Sequence, residues 1–338
     1  MRGERAWLSE DAGRRPRLLR ERARVLGEVR AFFDARGFLE VETPALVPSP
    51  GMDLHLDAYE VPGAGYLSTS PELQMKRLLV GGLDRIYQLC RCFRRGEQGQ
   101  HHQREFTMLE WYRADAGSED VMRDTEELVA AVVTAVRGEP ALELTSPAGS
   151  PTARSGEGIL QAAGVHGGKR RIDVRSPWPR LTVDEAFRAH AGVSLHDVLP
   201  DEERFFHVLV DRIEPALAEG GPVFLTRWPA SMASLARLCD DDPTVADRFE
   251  AYVAGVELCN GFGELTDPAE QRARLLHQQA ERRRLGKRAH PLDERFLAAL
   301  AAGLPPCAGV ALGVDRLVML AVGAAALAEV IAFPIDRA

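Results

Sequence analysis

Arginines, histidines and a carboxylate alternate with apolar residues in the stretch from Gln88 to Tyr112, where they could bind a charged substrate. Both ends of this stretch are rich in strand-forming residues, which predicts a hairpin with a polar, cationic tip. Strand alternation would put Glu110 and Tyr112 on one face, and a buried carboxylate there needs a cation or hydrogen-bond donors. Arg94, at the end of the first strand, suits a phosphate or a carboxylate. An edge hairpin with solvated arginines is an equal alternative from this stretch alone.

A second set consists of three glutamates seven residues apart, Glu250, Glu257 and Glu264, with Asn260 between them. They lie in predicted strands and a turn that are otherwise apolar, where burying a carboxylate without a cation is costly. Hard oxygen ligands favour Mg²⁺, and a substrate amine is a second natural partner. The alternative is three surface acids on edge strands.

Two predicted helix starts carry further candidates. The glycine-containing strand 309–314 runs into a helix with Arg316 in its first turn, where a cation opposes the helix dipole unless an anion binds nearby. This turn alone is a weak signal. Pro71 and Glu72 open another helix, and they are equally explained as an ordinary helix start.

The elements that must position these side chains are amphipathic helices and short strands. A helix is predicted over 16–36, followed by a short strand over 38–44. The Ser/Pro/Gly-rich segment 145–168 is expected to be a mobile surface insertion. A long helix starting at Asp267 ends in a basic cluster, Glu281–His290. The cations of this cluster favour a helix C-terminus, or they form a docking patch for an acidic macromolecule.

The composition limits the classes of function. The chain has 338 residues, 45% hydrophobic, with a net charge of −8, which allows a large core and argues against wrapping nucleic acid. We expect no transmembrane helix and no secretory signal, and therefore a cytoplasmic protein. The five cysteines are expected to be reduced thiols rather than disulfides or metal ligands.

Three segments resemble, in order and spacing, the signature motifs of class II aminoacyl-tRNA synthetases. They are FLEVETP, FRRGE followed by HHQREFTMLEWY, and GVALGVDRLVML. The lysine-specific branch is the most similar, through TSPELQMKRLLVGG and ELCNGFGELTD. The resemblance extends from about Arg17 to the last residue, except for 145–168. It implies an α+β fold in which an antiparallel sheet is flanked by helices, with the first motif at a homodimer interface.

Within this branch the chain resembles the elongation factor P lysine ligases, paralogues of lysyl-tRNA synthetase without an anticodon-binding domain. Only about forty residues precede the first motif, whereas the tRNA enzyme would need roughly a hundred for its N-terminal domain. Ser70 and Ala311 also match the ligases, where the tRNA enzyme has alanine and glycine. The resemblance therefore implies a single catalytic domain, about 17–338 of the whole chain 1–338, without an anticodon-binding domain. It implies elongation factor P as the acceptor protein rather than tRNA.

The resemblance also implies ATP, Mg²⁺ and lysine or (R)-β-lysine as the small molecules bound. Arg94 and Arg316 would be the catalytic residues, with Arg94 on the α-phosphate and the substrate carboxylate and Arg316 on the far end of ATP. Glu250 and Glu257 would bind Mg²⁺. The other nucleotide-binding residues would be Glu97, His102, Gln103, Glu257, Leu258 and Gly313. The lysine pocket would comprise Ser70, Pro71, Glu72, Glu110, Tyr112, Asn260, Glu264 and Ala311, with Glu264 and Tyr112 meeting the side-chain amine.

The second motif departs from the family at two places. Gly96 replaces the glutamate that would read the adenine amino group, and 102–105 read HQRE in place of HNPE. Either Glu97 shifts to take the adenine contact, or nucleotide selectivity and turnover are weakened. The alternatives to the ligase are a lysine or nucleotide sensor without turnover, tRNA lysylation by a stripped core, and ligation to a small-molecule acceptor.

Overall fold

The computed structural model describes residues 13–145, 169–199 and 201–337. The strands are β1 (Leu39–Glu40), β2 (Leu46–Val47), β3 (Glu60–Val61), β4 (Gly65–Leu67), β5 (Arg85–Phe93), β6 (Glu105–Ala114), β7 (Ala141–Thr145), β8 (Lys169–Asp173), β9 (Arg180–Thr182), β10 (Val223–Pro229), β11 (Val245–Val253), β12 (Val256–Gly263) and β13 (Cys307–Gly313). The helices are α1 (Arg14–Asp34), α2 (Glu72–Val80), α3 (Ser118–Arg137), α4 (Val183–Ala191), α5 (Leu195–Val198), α6 (Glu202–Val208), α7 (Glu214–Glu219), α8 (Pro268–Arg284), α9 (Glu294–Gly303), α10 (Val314–Val322) and α11 (Leu327–Val330). A π-helical turn, Leu209–Ile213, joins α6 to α7, and 3-10 turns cover Ala230–Met232 and Ile335–Arg337.

A mixed sheet of eight strands in the order β1-β5-β6-β13-β12-β11-β10-β9 organises the described residues. Strands from β5 to β10 pair antiparallel, whereas β1 with β5 and β9 with β10 are parallel. The predicted antiparallel sheet is therefore confirmed in its centre and differs at both edges. Parallel neighbours need a long crossover, and the helices α4 to α7 supply it between β9 and β10. The small sheets β2-β4-β3 and β7-β8 lie outside this sheet.

The two faces of the sheet carry different helices, as two adjacent residues of β6 show. Trp111 packs into the core shared with α1, α3 and α10, and its ring lies 5.4 Å from that of Phe33. Tyr112 points to the opposite face, into a cluster with apolar residues of α2, α8 and α9. Because side chains alternate along a strand, Glu110 shares the face of Tyr112. The second face is therefore the one that positions a polar site.

Most elements expected from the sequence are present. The hairpin of β5 and β6 and the helix α1 are confirmed. The predicted strand over 38–44 is wrong in extent, because only Leu39–Glu40 remain in the sheet. The insertion expected over 145–168 falls outside the described residues except for Thr145, which pairs with Lys169 at the end of β7. None of the helices that the structure describes is both long and apolar enough to cross a membrane.

Candidate active site

An open cavity of about 810 Å³ lies on the second face of the sheet and reaches over the tip of the β5–β6 hairpin. It brings together every site residue proposed from the sequence except Pro71, which precedes α2 as its N-cap. The candidates that border it are Ser70, Glu72, Arg94, Glu97, His102, Gln103, Glu110, Tyr112, Glu250, Glu257, Leu258, Asn260, Glu264, Ala311, Gly313 and Arg316. Residues that are far apart in the sequence therefore form one surface.

One transverse row of the sheet explains this convergence. Gln88, Glu110, Ala311, Asn260 and Glu250 are successive cross-strand partners from β5 through β6, β13 and β12 to β11. Directly paired residues point to the same face of a sheet. The pairing register thus lines up a carboxylate, a small residue, an amide and a second carboxylate across the cavity.

The inner end of the cavity is acidic and almost closed to water. Glu110 and Glu264 are 1% and 2% exposed. Glu110 accepts hydrogen bonds from the Tyr112 hydroxyl at 2.7 Å and from Ser70 Oγ at 2.9 Å. Burial, reinforced by the charge of Glu72, raises the pKa of Glu110 to about 8. Burial likewise raises the pKa of Glu264 to about 8, although a nearby lysine opposes the shift.

Two acceptors at this end have neither a hydrogen-bond partner nor an ion-pair partner among the described residues. They are Glu264 Oε1 and Asn260 Oδ1, both of which are fully shielded from solvent. A buried acceptor without a donor is costly, so a bound molecule with N–H groups would stabilise both. Gly309 leaves room for the Tyr112 ring beside these acceptors, because a Cβ at this position would overlap that ring and lie 2.9 Å from Glu264 Oε1.

Lys76 on α2 was missed by the sequence reasoning and is central to the acidic end. Its Nζ lies 2.5 Å from Glu72 Oε1 and 2.5 Å from Glu264 Oε2, and its side chain is 1% exposed. Burial alone would lower the pKa of Lys76, but Glu264 and Glu72 outweigh it and raise the pKa. Glu72 and Lys76 are four residues apart on a predicted helix, and this spacing could have indicated the ion pair between them.

The opposite end of the cavity is cationic. Arg316 donates to the Glu257 carbonyl oxygen at 2.6 Å and lies 3.2 Å from the Glu257 carboxylate. Its Nη2 is 2.9 Å from His102 Nε2. Burial and the charge of Arg316 lower the pKa of His102, so the neutral ring accepts this hydrogen bond. Arg94 lies 3.7 Å from Glu97, with its guanidinium 5.0 Å from the centre of the Phe106 ring. Two guanidinium groups thus border this part of the cavity, where they could bind an anionic group such as a phosphate.

Glu250 and Glu257 form a pair of oxygen donors between the two ends. Glu250 accepts from Arg248 at 2.7 Å and from the Tyr252 hydroxyl at 2.8 Å, and burial with the charge of Glu257 raises its pKa to about 7, although Arg248 opposes the shift. In the described ranges no three His, Cys, Asp or Glu side chains are grouped to hold a metal by themselves. Mg²⁺ usually takes one or two carboxylates and completes its shell with substrate phosphates and water. This donor set therefore fits a nucleotide-bound Mg²⁺.

The altered second motif has a conformational explanation at Gly96. Its φ is +89°, a backbone region that L side chains rarely adopt, while a Cβ there would meet no other atom within 4 Å. The glycine thus makes a turn, and Arg95 N donates to the Asp57 carbonyl at 2.7 Å beside it. Glu97 keeps a carboxylate at the cavity wall.

The basic cluster at the end of α8 places its arginines in the last turn of the helix, as the first of the two interpretations expected, and only part of it could form a docking patch. Arg282 is 0% exposed, lies 2.6 Å from the Asp57 carboxylate and donates to the carbonyl oxygens of Asp53 and Leu56 at 2.6 and 2.8 Å. A docking role for Arg282 is therefore wrong, because the helix turns this side chain into the protein. The exposed Arg283 and Arg284 contact Gln279 and Glu281 on the same helix. The five cysteines are free thiols, as expected.

Comparisons with known proteins agree with one another. A family model for class II tRNA synthetases (D, K and N) matches residues 4–337. The elongation factor P (R)-beta-lysine ligase of Salmonella gallinarum is 40% identical over 333 residues, which cover 96% of each chain. Proteins of the same name from Salmonella paratyphi B and Salmonella heidelberg are 41% identical over 333 residues, again with 96% of each chain covered. The similarity therefore includes the sheet, the cavity and the surrounding helices.

Proposed function

The chain belongs to the class II tRNA synthetases of the D, K and N type, and from this membership we propose that its cavity is the active site of an ATP-dependent amino-acid ligase. The enzyme activates lysine or (R)-β-lysine and transfers it to a lysine side chain of elongation factor P, the acceptor that the relatives are named for. The proposed setting is the cytoplasm, and the proposed catalytic domain covers about 17–338.

The observation that carries this proposal is the polarity of the cavity. Buried carboxylates and unpartnered acceptors occupy one end, and two guanidinium groups border the other. A diamino acid would direct its ammonium groups to Glu264 and Asn260 and its carboxylate to Arg94. ATP would lie with its phosphates between Arg94 and Arg316. The carboxylate of the amino acid and the α-phosphorus of ATP would then meet at Arg94.

The first step needs alignment more than acid or base chemistry. A carboxylate oxygen of the amino acid attacks the α-phosphorus of ATP, and the bond from this phosphorus to the oxygen that bridges the α- and β-phosphates breaks. The products are an aminoacyl-adenylate and pyrophosphate. A carboxylate is already ionised and requires no general base. Arg94 neutralises the charge that develops on the α-phosphate, and Arg316 binds the β- and γ-phosphates, which leave as pyrophosphate. Mg²⁺ held by Glu250 and Glu257 would add charge neutralisation on the phosphates.

In the second step an ε-amine of elongation factor P attacks the acyl carbon. A C–N bond forms, the acyl–phosphate bond breaks, AMP leaves and a proton is released from the amine. An amine with an unperturbed pKa of about 10.4 must reach the site without its proton. A homodimer in which the first motif forms the interface is part of the proposal, and the exposed edge strand β1, where Leu39 is 52% exposed, supports it.

Amino-acid-dependent exchange of pyrophosphate into ATP tests the activation step. Exchange is expected with (R)-β-lysine or lysine and not with 2-aminohexanoic acid, which has the same length as lysine and lacks the side-chain amine. An Arg94→Ala variant should lose exchange, because the α-phosphate and the substrate carboxylate both lose their cation. Binding of lysine and ATP without exchange would contradict the ligase and favour a sensor.

A further inference from the structure

Lys76 lies behind the wall of the amino-acid end of the cavity. Glu72, Glu110 and Glu264 border the cavity, whereas the Lys76 ammonium is buried on the far side of Glu72 and Glu264. One oxygen of each of these two carboxylates is taken up by the same Nζ, at 2.5 Å in both cases. Glu264 Oε1 remains without a partner in the described part of the chain and lies beside Gly309, 2.9 Å from the position that a Cβ there would take.

The charges at this end do not cancel. Three carboxylates, Glu72, Glu110 and Glu264, lie together with a single lysine, which leaves two negative charges when all four groups are ionised. Isolated charges in a buried site are costly, so two cations of a ligand would stabilise the pocket. A diamino acid brings two ammonium groups, and a monoamino acid brings one.

We propose that Lys76 is a positioning and specificity residue for the amino-acid substrate. It orients the carboxylates of Glu72 and Glu264 from behind, and it leaves the pocket with two negative charges, which two substrate ammonium groups neutralise. This inference rests on the proposed function, because it takes a diamino acid as the substrate. Lys76 itself does not touch the substrate. It acts through the carboxylates, whose remaining oxygens it directs to the cavity.

The test variant removes the ammonium group of Lys76 and keeps an unbranched side chain of similar size. Lys76→Met fills nearly the same volume and leaves the pocket with an excess negative charge and two unrestrained carboxylates. We expect the KM for lysine or (R)-β-lysine in pyrophosphate exchange to rise roughly 10- to 100-fold, the effect of losing one charge-assisted interaction. The KM for ATP should change by less than about twofold, because the nucleotide end is untouched.

A double variant separates positioning and charge from simple support of the fold. Lys76→Met combined with Glu72→Gln removes one cation and one anion, so that the net charge of the pocket returns to its original value. The KM for lysine should recover by a factor of about ten relative to Lys76→Met alone. Replacing a buried ion pair by neutral groups is often tolerated, so if Lys76→Met does not fold, the double variant is compared with the wild type, and a lysine KM more than about 100-fold higher would overturn the charge assignment. A double variant that folds and binds lysine no better than Lys76→Met would overturn the charge assignment.

Failure of this inference differs from failure of the proposed function. Wild-type exchange with an unchanged lysine KM in Lys76→Met would leave the ligase intact and overturn the role of Lys76. Calorimetric binding of lysine to both proteins should be measured in parallel, because it does not require turnover. Wild-type protein that binds lysine without exchange would contradict the ligase, and the loss of binding in Lys76→Met would still support Lys76. Wild-type protein that binds no diamino acid would overturn both.

Discussion

The affinity for the amino acid should increase with pH, because the pocket holds protons that the substrate ammonium groups displace. Burial raises the pKa of Glu110 and of Glu264 to about 8 in the ligand-free protein. The titratable groups that interact with them are Glu72 and Lys76 on α2, Cys92 on β5, Tyr112 on β6 and Cys307 on β13. Below pH 8 these carboxyl groups are therefore largely neutral, and an ammonium group binds well only after they ionise.

The size of the effect follows from the raised pKa. A carboxylate with a pKa of about 8 is about 3% ionised at about pH 6.5 and about 75% ionised at about pH 8.5. If one such group must ionise, the KM for lysine should fall about 25-fold over this range, or about 1.9 kcal/mol. The substrate ε-amine, with an unperturbed pKa of about 10.4, stays charged throughout.

The measurement is the KM for lysine in pyrophosphate exchange at several pH values, with the KM for ATP as the internal control. The same linkage appears in thermal unfolding. At low pH, Glu110 and Glu264 are neutral, and the ligand-free protein is stable with both carboxyl groups buried. This contribution to the stability is lost as the pH rises towards 8, where the two groups ionise and can bind the ammonium groups of lysine. Saturating lysine should therefore raise Tm more at about pH 8.5 than at about pH 6.5. A lysine KM that stays constant or rises with pH would refute this explanation.

Three further predictions concern other parts of the protein. Arg282→Ala should lower the free energy of unfolding by about 3 kcal/mol in urea, because it leaves a carboxylate and several carbonyl oxygens without their donor, whereas Arg283→Ala should change it by less than about 0.5 kcal/mol. Gly309→Ala should raise the KM for lysine and leave that for ATP unchanged, because the new Cβ overlaps the Tyr112 ring. Glu250→Gln should raise the Mg²⁺ concentration that half-saturates exchange, because the site loses one of two anionic oxygen donors.

Each of these predictions has a result that contradicts it. Equal stability of Arg282→Ala and Arg283→Ala would mean that Arg282 is not held inside the protein. Gly309→Ala with unchanged lysine affinity would show that the amino acid binds elsewhere. A Glu250→Gln enzyme with the Mg²⁺ dependence of the wild type, and a higher KM for lysine, would move Glu250 from the metal to the amino acid.

The sequence predicted the local features of the site well. Alternation along β6 gave the shared face of Glu110 and Tyr112, and both the fold class and the ligase activity followed from the motifs. The polar residues between Glu250 and Glu264 were informative because they lie on two adjacent antiparallel strands, β11 and β12. This pairing places Asn260 directly opposite Glu250. Local periodicity and motif order are properties of the sequence itself, and they carry over to the structure.

Burial of charged side chains was harder to predict. Lys76 and Arg282 both lie on helices whose sequence is compatible with solvated cations, and each is buried because of partners far away in the chain. Glu264 lies after β12 and Asp57 before β3, so neither partner could be assigned from helix periodicity. The parallel edges of the sheet escaped prediction for the same reason, since they depend on how the crossovers pack.

Transfer of the amino acid to elongation factor P is the decisive measurement of the proposed ligase activity. Elongation factor P should be incubated with the enzyme, ATP, Mg²⁺ and either (R)-β-lysine or lysine, and its mass then measured intact and after proteolysis. We expect the wild-type enzyme, but not Arg94→Ala, to add one lysyl or β-lysyl residue to one lysine side chain. Pyrophosphate exchange with a lysine isomer but no addition to elongation factor P with either isomer would contradict this expectation.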